Sequence, residues 1–138
     1  MAKEQKRINK KKTILLVDDD GYFRFALATE LRAQDYLVIS AEDGERALKM
    51  LQDSGEPALI IDLVITDLVM PRKDGLSLCN EIRKLGRPVS VLVITGFMSD
   101  ESEEMLREVG CTHHLEKPFT PDQLIKKIEE ILEENSKT

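Results

Sequence analysis

The fold is decided by the stretch Thr13-Ile14-Leu15-Leu16-Val17-Asp18-Asp19-Asp20, an uninterrupted apolar run that ends in three acids. A strand with one solvent-exposed face alternates apolar and polar residues, whereas a strand covered on both faces is apolar throughout. The run therefore predicts a strand buried on both faces of a parallel sheet. The acids follow at the point where that strand ends.

Comparable runs recur along the chain, with room for a helix between them. They cover residues 37–40, 62–66 and 89–94, and a shorter, more polar run at residues 112–116 is expected near a sheet edge. Strands that alternate with helices predict an α/β fold with right-handed crossovers. About five such units are too few for a closed barrel, so we expect an open doubly wound sheet of five parallel strands with helices on both faces.

The helices are predicted from apolar residues at helical spacing. They cover residues 21–34, 44–53, 75–85, 100–109 and 121–133. In the fourth helix, Met105, Leu106 and Val109 are the predicted core residues. The last helix begins at a capping box, in which Thr120 and Gln123 flank Pro121.

Length and composition predict one globular domain without a membrane span. The chain has 138 residues, 41% hydrophobic and 33% charged, and no apolar run approaches the ~18 residues that a bilayer requires. We expect residues 13–134 to form the domain and residues 135–138 a tail. Without a secretory signal at its start, the protein is expected to be cytoplasmic. Its two cysteines, Cys79 and Cys111, are interpreted as buried thiols in a reducing compartment, with a disulfide as the less favoured alternative.

The formal net charge of -6 argues against nucleic-acid binding by the domain as a whole. Residues 1–12 are the exception, because they carry six basic residues against the single acid Glu4. A disordered, solvated leader is the preferred interpretation of this segment. Contact with nucleic acid or with an acidic partner is the alternative.

The chemistry gathers at the predicted carboxyl ends of the strands, where open α/β sheets bind ligands. These ends carry Asp18 and Asp19, Asp67, Thr95 and Lys117. Carboxylates held together repel, and a hard cation such as Mg²⁺ relieves the repulsion while keeping room for a phosphate. A lysine and a hydroxyl stabilise a phosphoryl group in transfer, and a carboxylate can be its nucleophile.

At these residues the sequence resembles the receiver domain of two-component response regulators, from Thr13 to about Leu132. The resemblance is carried by several motifs in order and at the right spacing. They are Ile14-Leu15-Leu16-Val17-Asp18-Asp19-Asp20, Ala41-Glu42-Asp43-Gly44-Glu45-Arg46-Ala47-Leu48, Asp62-Leu63-Val64-Ile65-Thr66-Asp67-Leu68-Val69-Met70-Pro71, Asp74-Gly75, Thr95-Gly96 and Lys117-Pro118-Phe119. The resemblance implies the flavodoxin-like strand order 2-1-3-4-5.

The resemblance also implies a role for each site residue. Asp67 is the expected phosphoryl acceptor, and Mg²⁺ or Mn²⁺ is the expected metal. Asp19 is implied as a direct metal ligand, Asp18 as a ligand acting largely through water, and Val69 as a ligand through its backbone carbonyl. Lys117 is expected to pair with Asp67 and then with a phosphoryl oxygen. The Lys117-Pro118 peptide bond is typically cis in this family.

Thr95 and His114 are the expected switch residues. The hydroxyl of Thr95 is implied to move onto a phosphoryl oxygen, and the ring at position 114 to move inward with it. The family usually has Tyr or Phe there, so His114 is a departure. Val69 and Phe97 are apolar where polar groups that handle water often lie, which predicts slow self-dephosphorylation.

The expected partners are a histidine kinase or phosphotransfer protein as donor, and a protein target. The target would bind the surface formed by the fourth helix, fifth strand and fifth helix, with a phosphorylation-linked homodimer as a further option. The chain would be a regulator of one domain or part of a longer protein. The alternative function is a Mg²⁺-dependent aspartyl-phosphate phosphatase, which the spacing of Asp18 and Asp20 matches in part.

Overall fold

A computed structural model of the chain describes residues 11–53, 60–70, 74–86 and 89–136. Most of the predicted leader, residues 1–10, and the last two residues of the predicted tail lie outside these ranges. Strands and helices alternate strictly along the described chain. They are β1 (Thr13–Val17), α1 (Gly21–Ala33), β2 (Leu37–Ala41), α2 (Gly44–Gln52), β3 (Leu63–Asp67), α3 (Gly75–Lys84), β4 (Ser90–Thr95), α4 (Asp100–Glu108), β5 (His113–Glu116) and α5 (Pro121–Ser136).

The five strands form one sheet in the order β2-β1-β3-β4-β5. Every neighbouring pair is parallel, which confirms the predicted doubly wound fold and its strand order. The register aligns Val17 of β1 with Thr66 of β3, Asp67 with Ile94 of β4, and Thr95 with Glu116 of β5. The carboxyl ends of the three central strands and of β5 therefore meet at one edge of the sheet.

Alternate residues of the central strands pack into two cores on opposite faces of the sheet, as the pleat requires. On one face, Leu15 and Val64 pack with buried residues of α2, α3 and α4. On the other face, Ile14 and Ile65 pack with buried residues of α1 and α5. Burial on both faces explains why β1 and β3 are apolar at consecutive positions.

The two outer strands are less buried, since each has a neighbour on one side only. Leu37 at the start of β2 is 50% exposed, and no residue of β5 is fully buried, as its polar composition predicted. The prediction that Met105 belongs to the core is wrong, because its side chain is 42% exposed. Leu106 is the buried residue that α4 contributes to the core, so the apolar stripe of this acidic helix is narrower than predicted.

The helix starts are specified by local hydrogen bonds. In the predicted capping box of α5, the backbone N–H of Gln123 donates to Thr120 Oγ1 at 3.1 Å, and that of Thr120 donates to Gln123 Oε1 at 2.8 Å. Asp74 caps α3 by accepting from the backbone N–H of Ser77 at 2.8 Å. None of the helices in the described ranges is long and apolar enough to cross a membrane.

Gly75 brings the start of α3 against the end of β3. A Cβ atom at this position would lie 2.5 Å from the carbonyl oxygen of Asp67 and 2.9 Å from Leu68 Cα. Both neighbours are backbone atoms, so a side chain cannot be accommodated by a rotamer change. The close approach also allows the backbone N–H of Gly75 to donate to the carbonyl of Leu68 at 2.8 Å. Glycine at this position therefore permits the close approach of α3 to the end of β3.

We predict that Gly75→Ala lowers the free energy of unfolding by roughly 1–3 kcal/mol, the usual scale of overpacking. Chemical denaturation with urea measures the change. Gly21→Ala is the matched control, since a Cβ at Gly21 would meet only the flexible end of Arg24 at 3.8 Å. A Gly75→Ala chain as stable as the Gly21→Ala chain would contradict the close packing.

Candidate functional site

Three carboxylates predicted to act together do converge at the carboxyl edge of the sheet. Asp18 and Asp19 follow β1, and Asp67 ends β3, its neighbour in the sheet. One oxygen of each carboxylate lies within 4.8 Å of the others. The three differ in exposure, since Asp18 is buried, Asp67 is half-buried and Asp19 is exposed. The group is thus open to solvent on the side of Asp19.

Asp18 is an acidic residue in a buried position, since only 2% of its surface is exposed. Its Oδ1 accepts a hydrogen bond from the backbone N–H of Asp20 at 2.8 Å. Burial raises the pKa of Asp18, and the charges of Asp67 and Asp19 raise it further, while the Asp20 bond and Lys117 act in the opposite direction. The ionised form of the Asp18 side chain is therefore disfavoured in the folded protein.

Lys117 supplies the positive charge that the carboxylates need. Its Nζ lies 3.4 Å from Asp67 Oδ2 and 3.9 Å from Asp18 Oδ2. Its backbone N–H donates to the carbonyl of Thr95 at 2.8 Å, which ties the end of β5 to the end of β4. The Lys117-Pro118 peptide bond is cis, as the family resemblance implied.

Two residues of α1 that the sequence did not single out for the site also contact it. The ring of Phe23 lies under the ammonium group of Lys117, 4.3 Å from Nζ to the ring centroid, which is a cation–π contact. The guanidinium of Arg24 donates to the backbone carbonyl of Asp18. The only signal in the sequence for this role of Phe23 is its position one turn after the acids.

Asp67 presents its carboxylate to the loop that follows β3. Its Oδ1 accepts a hydrogen bond from the backbone N–H of Val69 at 3.3 Å, while its Oδ2 faces Lys117. The side chain of Val69 is 75% exposed and leaves the backbone of the loop close to the acidic group. Asp67 therefore lies at the carboxyl edge of the sheet, between the Lys117 ammonium group and the backbone N–H of Val69.

Thr95 lies at the same edge, and its hydroxyl is hydrogen-bonded to the backbone of Phe97. Oγ1 donates to the carbonyl of Phe97 at 3.1 Å and accepts from the N–H of Phe97 at 3.4 Å. The side chain is 4% exposed, and the Phe97 ring is exposed to solvent. The structure thus places the hydroxyl against the loop that leads into α4.

The two histidines of β5 point to opposite faces of the sheet, as expected for neighbours in a strand. His113 Nε2 lies 3.9 Å from a carboxylate oxygen of Glu134 in α5, and burial lowers its pKa. His114 is half-buried and lines a small cavity with Glu103, Leu106 and Arg107 of α4. His114 therefore stands at the junction of β5 and α4 rather than among the carboxylates.

Asp20 has a structural role at the start of α1, outside the group of three carboxylates. Its Oδ1 accepts from the backbone N–H groups of Tyr22 and Phe23 at 3.0 and 3.2 Å, so it is the N-cap of α1. The phosphatase alternative needs this residue as an acid/base catalyst beside a nucleophilic Asp18. Its Oδ1 caps the helix instead, and Asp18 is the most buried of the three acids at the sheet edge.

The donor set fits a hard divalent cation. Oxygens on opposite sides of a bound Mg²⁺ are about 4.2 Å apart, because each lies about 2.1 Å from the ion. The carboxylate oxygens of Asp18, Asp19 and Asp67 are grouped on that scale. Within the described ranges this is the only group of three or more acidic, histidine or cysteine side chains with such spacing.

Comparison with known proteins identifies the family. A model of the response regulator receiver domain matches residues 14–129. The probable transcriptional regulator ycf27 of Guillardia theta is 34% identical over 128 residues, which cover 92% of this chain and 48% of that protein. The response regulator MprA of Mycobacterium ulcerans is 34% identical over 119 residues, 86% of this chain and 49% of that protein. The chain thus spans about half the length of these curated relatives.

Solved structures agree with the sequence comparison. A CheY-like response regulator receiver domain protein from Methanospirillum hungatei matches with a TM-score of 0.85 and 28% identity, over 93% of this chain and 98% of that one. The chemotaxis protein CheY4 of Vibrio cholerae matches with a TM-score of 0.79 and 28% identity, over 88% of this chain and 98% of that one. The match to the family model agrees with the acidic group, Thr95 and Lys117 that meet at one sheet edge. The chain therefore belongs to the receiver domains of two-component response regulators.

Proposed function

We propose that Asp67 accepts a phosphoryl group from a histidine kinase or a phosphotransfer protein. The observation that carries this proposal is the position of its carboxylate, half-buried at the sheet edge and 3.4 Å from the ammonium group of Lys117. Asp18 and Asp19 lie beside it. With the backbone carbonyl of Val69, these three carboxylates would hold Mg²⁺ or Mn²⁺, which neutralises the phosphoryl oxygens during transfer.

In the proposed step, one carboxylate oxygen of Asp67 attacks the phosphorus atom of a phosphohistidine. The N–P bond of the donor breaks as the O–P bond of the acyl phosphate forms, and the imidazole leaves with the bonding electron pair. Lys117 then faces an additional negative charge and pairs with a phosphoryl oxygen. Phe23 lies against the ammonium group and helps to keep it directed at the acceptor.

Phosphorylation would be read out through Thr95 and His114. The Thr95 hydroxyl exchanges its bond to Phe97 for a bond to a phosphoryl oxygen, which shifts the loop leading into α4. His114 shares a cavity with residues of α4 and moves with that helix. The surface of α4, β5 and α5 then binds a protein target or a second phosphorylated copy. A switch of this kind needs two states with different surfaces.

The chain is a regulatory domain, and we propose that it catalyses only its own phosphorylation and dephosphorylation. The receiver unit would comprise residues 13–134, with residues 1–12 as a leader and residues 135–138 as a tail. A cytoplasmic location fits a donor that is a kinase, and the net charge of -6 disfavours direct contact with nucleic acid.

We predict that the chain gains one phosphoryl group when it is incubated with Mg²⁺ and acetyl phosphate, as measured by intact mass. Asp67→Asn removes the nucleophilic oxygen and should abolish the gain. Asp62→Asn is the matched control, since Asp62 Oδ2 accepts from the backbone N–H of Thr13 at 2.8 Å, at the opposite end of the sheet. A phosphoryl group that persists in Asp67→Asn would refute the assignment of the acceptor.

We predict that Mg²⁺ raises the unfolding temperature of the wild-type chain and that Asp18→Asn removes this effect. Without metal, Asp18→Asn should be more stable than wild type by roughly 1 kcal/mol. The raised pKa of Asp18 means that its stabilising contribution is present in acid and is lost as the pH rises through that pKa. At neutral pH the ionised group is therefore destabilising.

Thermal unfolding with and without Mg²⁺ checks both effects. Asp20→Asn is the matched control, because asparagine remains a good N-cap and the residue is outside the metal group. It should keep the full Mg²⁺ response. The metal proposal fails if Asp18→Asn responds to Mg²⁺ as strongly as wild type does.

We predict that the phosphorylated chain loses its phosphoryl group slowly, over minutes or longer, in Mg²⁺ at neutral pH. Val69 and Phe97, which are 75% and 74% exposed, follow β3 and β4 at the acceptor edge of the sheet, and their apolar side chains do not orient water. Val69→Asn should accelerate the loss several-fold. Ile60→Asn, at an equally exposed apolar residue before β3, should not. A wild-type half-life of seconds would contradict this prediction.

A further inference from the structure

We propose that Cys79 and Cys111 form a dithiol site, which a small-molecule disulfide converts into an intramolecular disulfide. Both cysteines are free thiols, and neither has a part in the phosphoryl chemistry. Cys79 is buried as predicted, whereas the prediction of burial is wrong for Cys111, which is half-buried. Cys79 lies in the middle of α3, and Cys111 lies in the turn between α4 and β5. The bond would tie these two elements together.

The two thiols share one cavity at the amino end of the sheet, opposite the acidic group. The cavity has a volume of about 250 Å³, and its lining includes Cys79, Arg83 and Ile82 of α3, Ser90 at the start of β4, and Cys111. Cys79 belongs to the core on this face of the sheet, and Cys111 packs against that core. The cavity gives a small reagent a route to the pair.

The two cysteines differ in exposure and acidity in the way that a reactive thiol and a resolving thiol differ. Cys111 is half-buried, and a hydrogen bond from the Cys79 thiol, together with the Arg83 charge, lowers its pKa although burial opposes this. Cys79 is 1% exposed, and its hydrogen bond to Cys111 and its burial raise its pKa. Cys111 is therefore the thiol that reacts first.

Arg83 is held beside Cys111 by the turn that precedes it. The guanidinium Nη1 donates to the carbonyl of Glu108 at 3.3 Å. At Gly110, where φ is +84, a Cβ would lie 3.1 Å from Nη1 of Arg83. Gly110 thus permits the turn and leaves room for the Arg83 guanidinium. The positive charge of Arg83 favours the thiolate form of Cys111.

The proposed reaction has two balanced steps. The Cys111 thiolate attacks one sulfur of a small disulfide such as oxidised glutathione, and a glutathione thiolate leaves. The Cys79 thiol then attacks the Cys111 sulfur, loses its proton, and releases the second glutathione. The two cysteine thiols are oxidised by two electrons in total, and the oxidised glutathione is reduced to two glutathione molecules.

The test is incubation of the full chain with oxidised glutathione, followed by intact mass and peptide mapping. Wild type should lose two hydrogen atoms, retain no glutathione, and yield a peptide pair linked through Cys79 and Cys111. Cys79→Ser should stop at the mixed disulfide and retain one glutathionyl group. Cys111→Ser should remain unmodified, since the remaining thiol is buried.

Three results would overturn the proposal. The first is a wild-type chain that stays unmodified when native although it reacts when denatured. The second is a wild-type chain that retains glutathione on Cys111, which would mean that Cys79 does not reach it. The third is a folded Cys111→Ser variant, verified by circular dichroism, that reacts as fast as Cys79→Ser. The wild-type measurement is decisive even if a variant fails to fold.

Discussion

Three carboxylates held within 4.8 Å of one another impose the constraint on which the rest of the site depends. Two like charges at about that separation repel by roughly 3–4 kcal/mol at the effective dielectric constant typical of a protein surface. The parallel strands keep the acids together in spite of this, because β1 and β3 are neighbours in the sheet and are buried on both faces. The site is therefore prepared for a ligand that brings positive charge.

The position of Lys117 follows from the same constraint. A single ammonium group lies 3.4 Å from Asp67 and 3.9 Å from Asp18, so it offsets part of the repulsion and leaves a net negative charge. Its ties to the Thr95 backbone and to the Phe23 ring connect the acidic group to β4 and to α1. Lys117 thus links the carboxylate of Asp67 to β4 and α1, two elements that do not carry Asp67.

The two ends of the sheet differ in chemistry as well as in position. The carboxyl edge is open, acidic and bounded by exposed loops, which is where open α/β sheets bind ligands. The amino end is closed by backbone pairing such as that between Asp62 and Thr13, and it carries the two thiols and Arg83 around one cavity. Among the described residues, the buried acidic side chains are Asp18 and Asp43, and both follow the carboxyl ends of strands.

The sequence by itself determined the fold class and the ends of the strands, because apolar runs are local signals. It also determined which acids, lysine and threonine meet at the carboxyl edge, because these residues follow the strands directly. It did not determine that Phe23 contacts Lys117 or that Arg24 binds the Asp18 backbone. Those contacts depend on how α1 packs against β1 and β5. The exposure of Met105 and the cavity that Cys79 and Cys111 share likewise depend on the packing of α3 and α4. Tertiary structure alone decided these features, because each depends on how separate helices and strands pack together, which no local sequence pattern encodes.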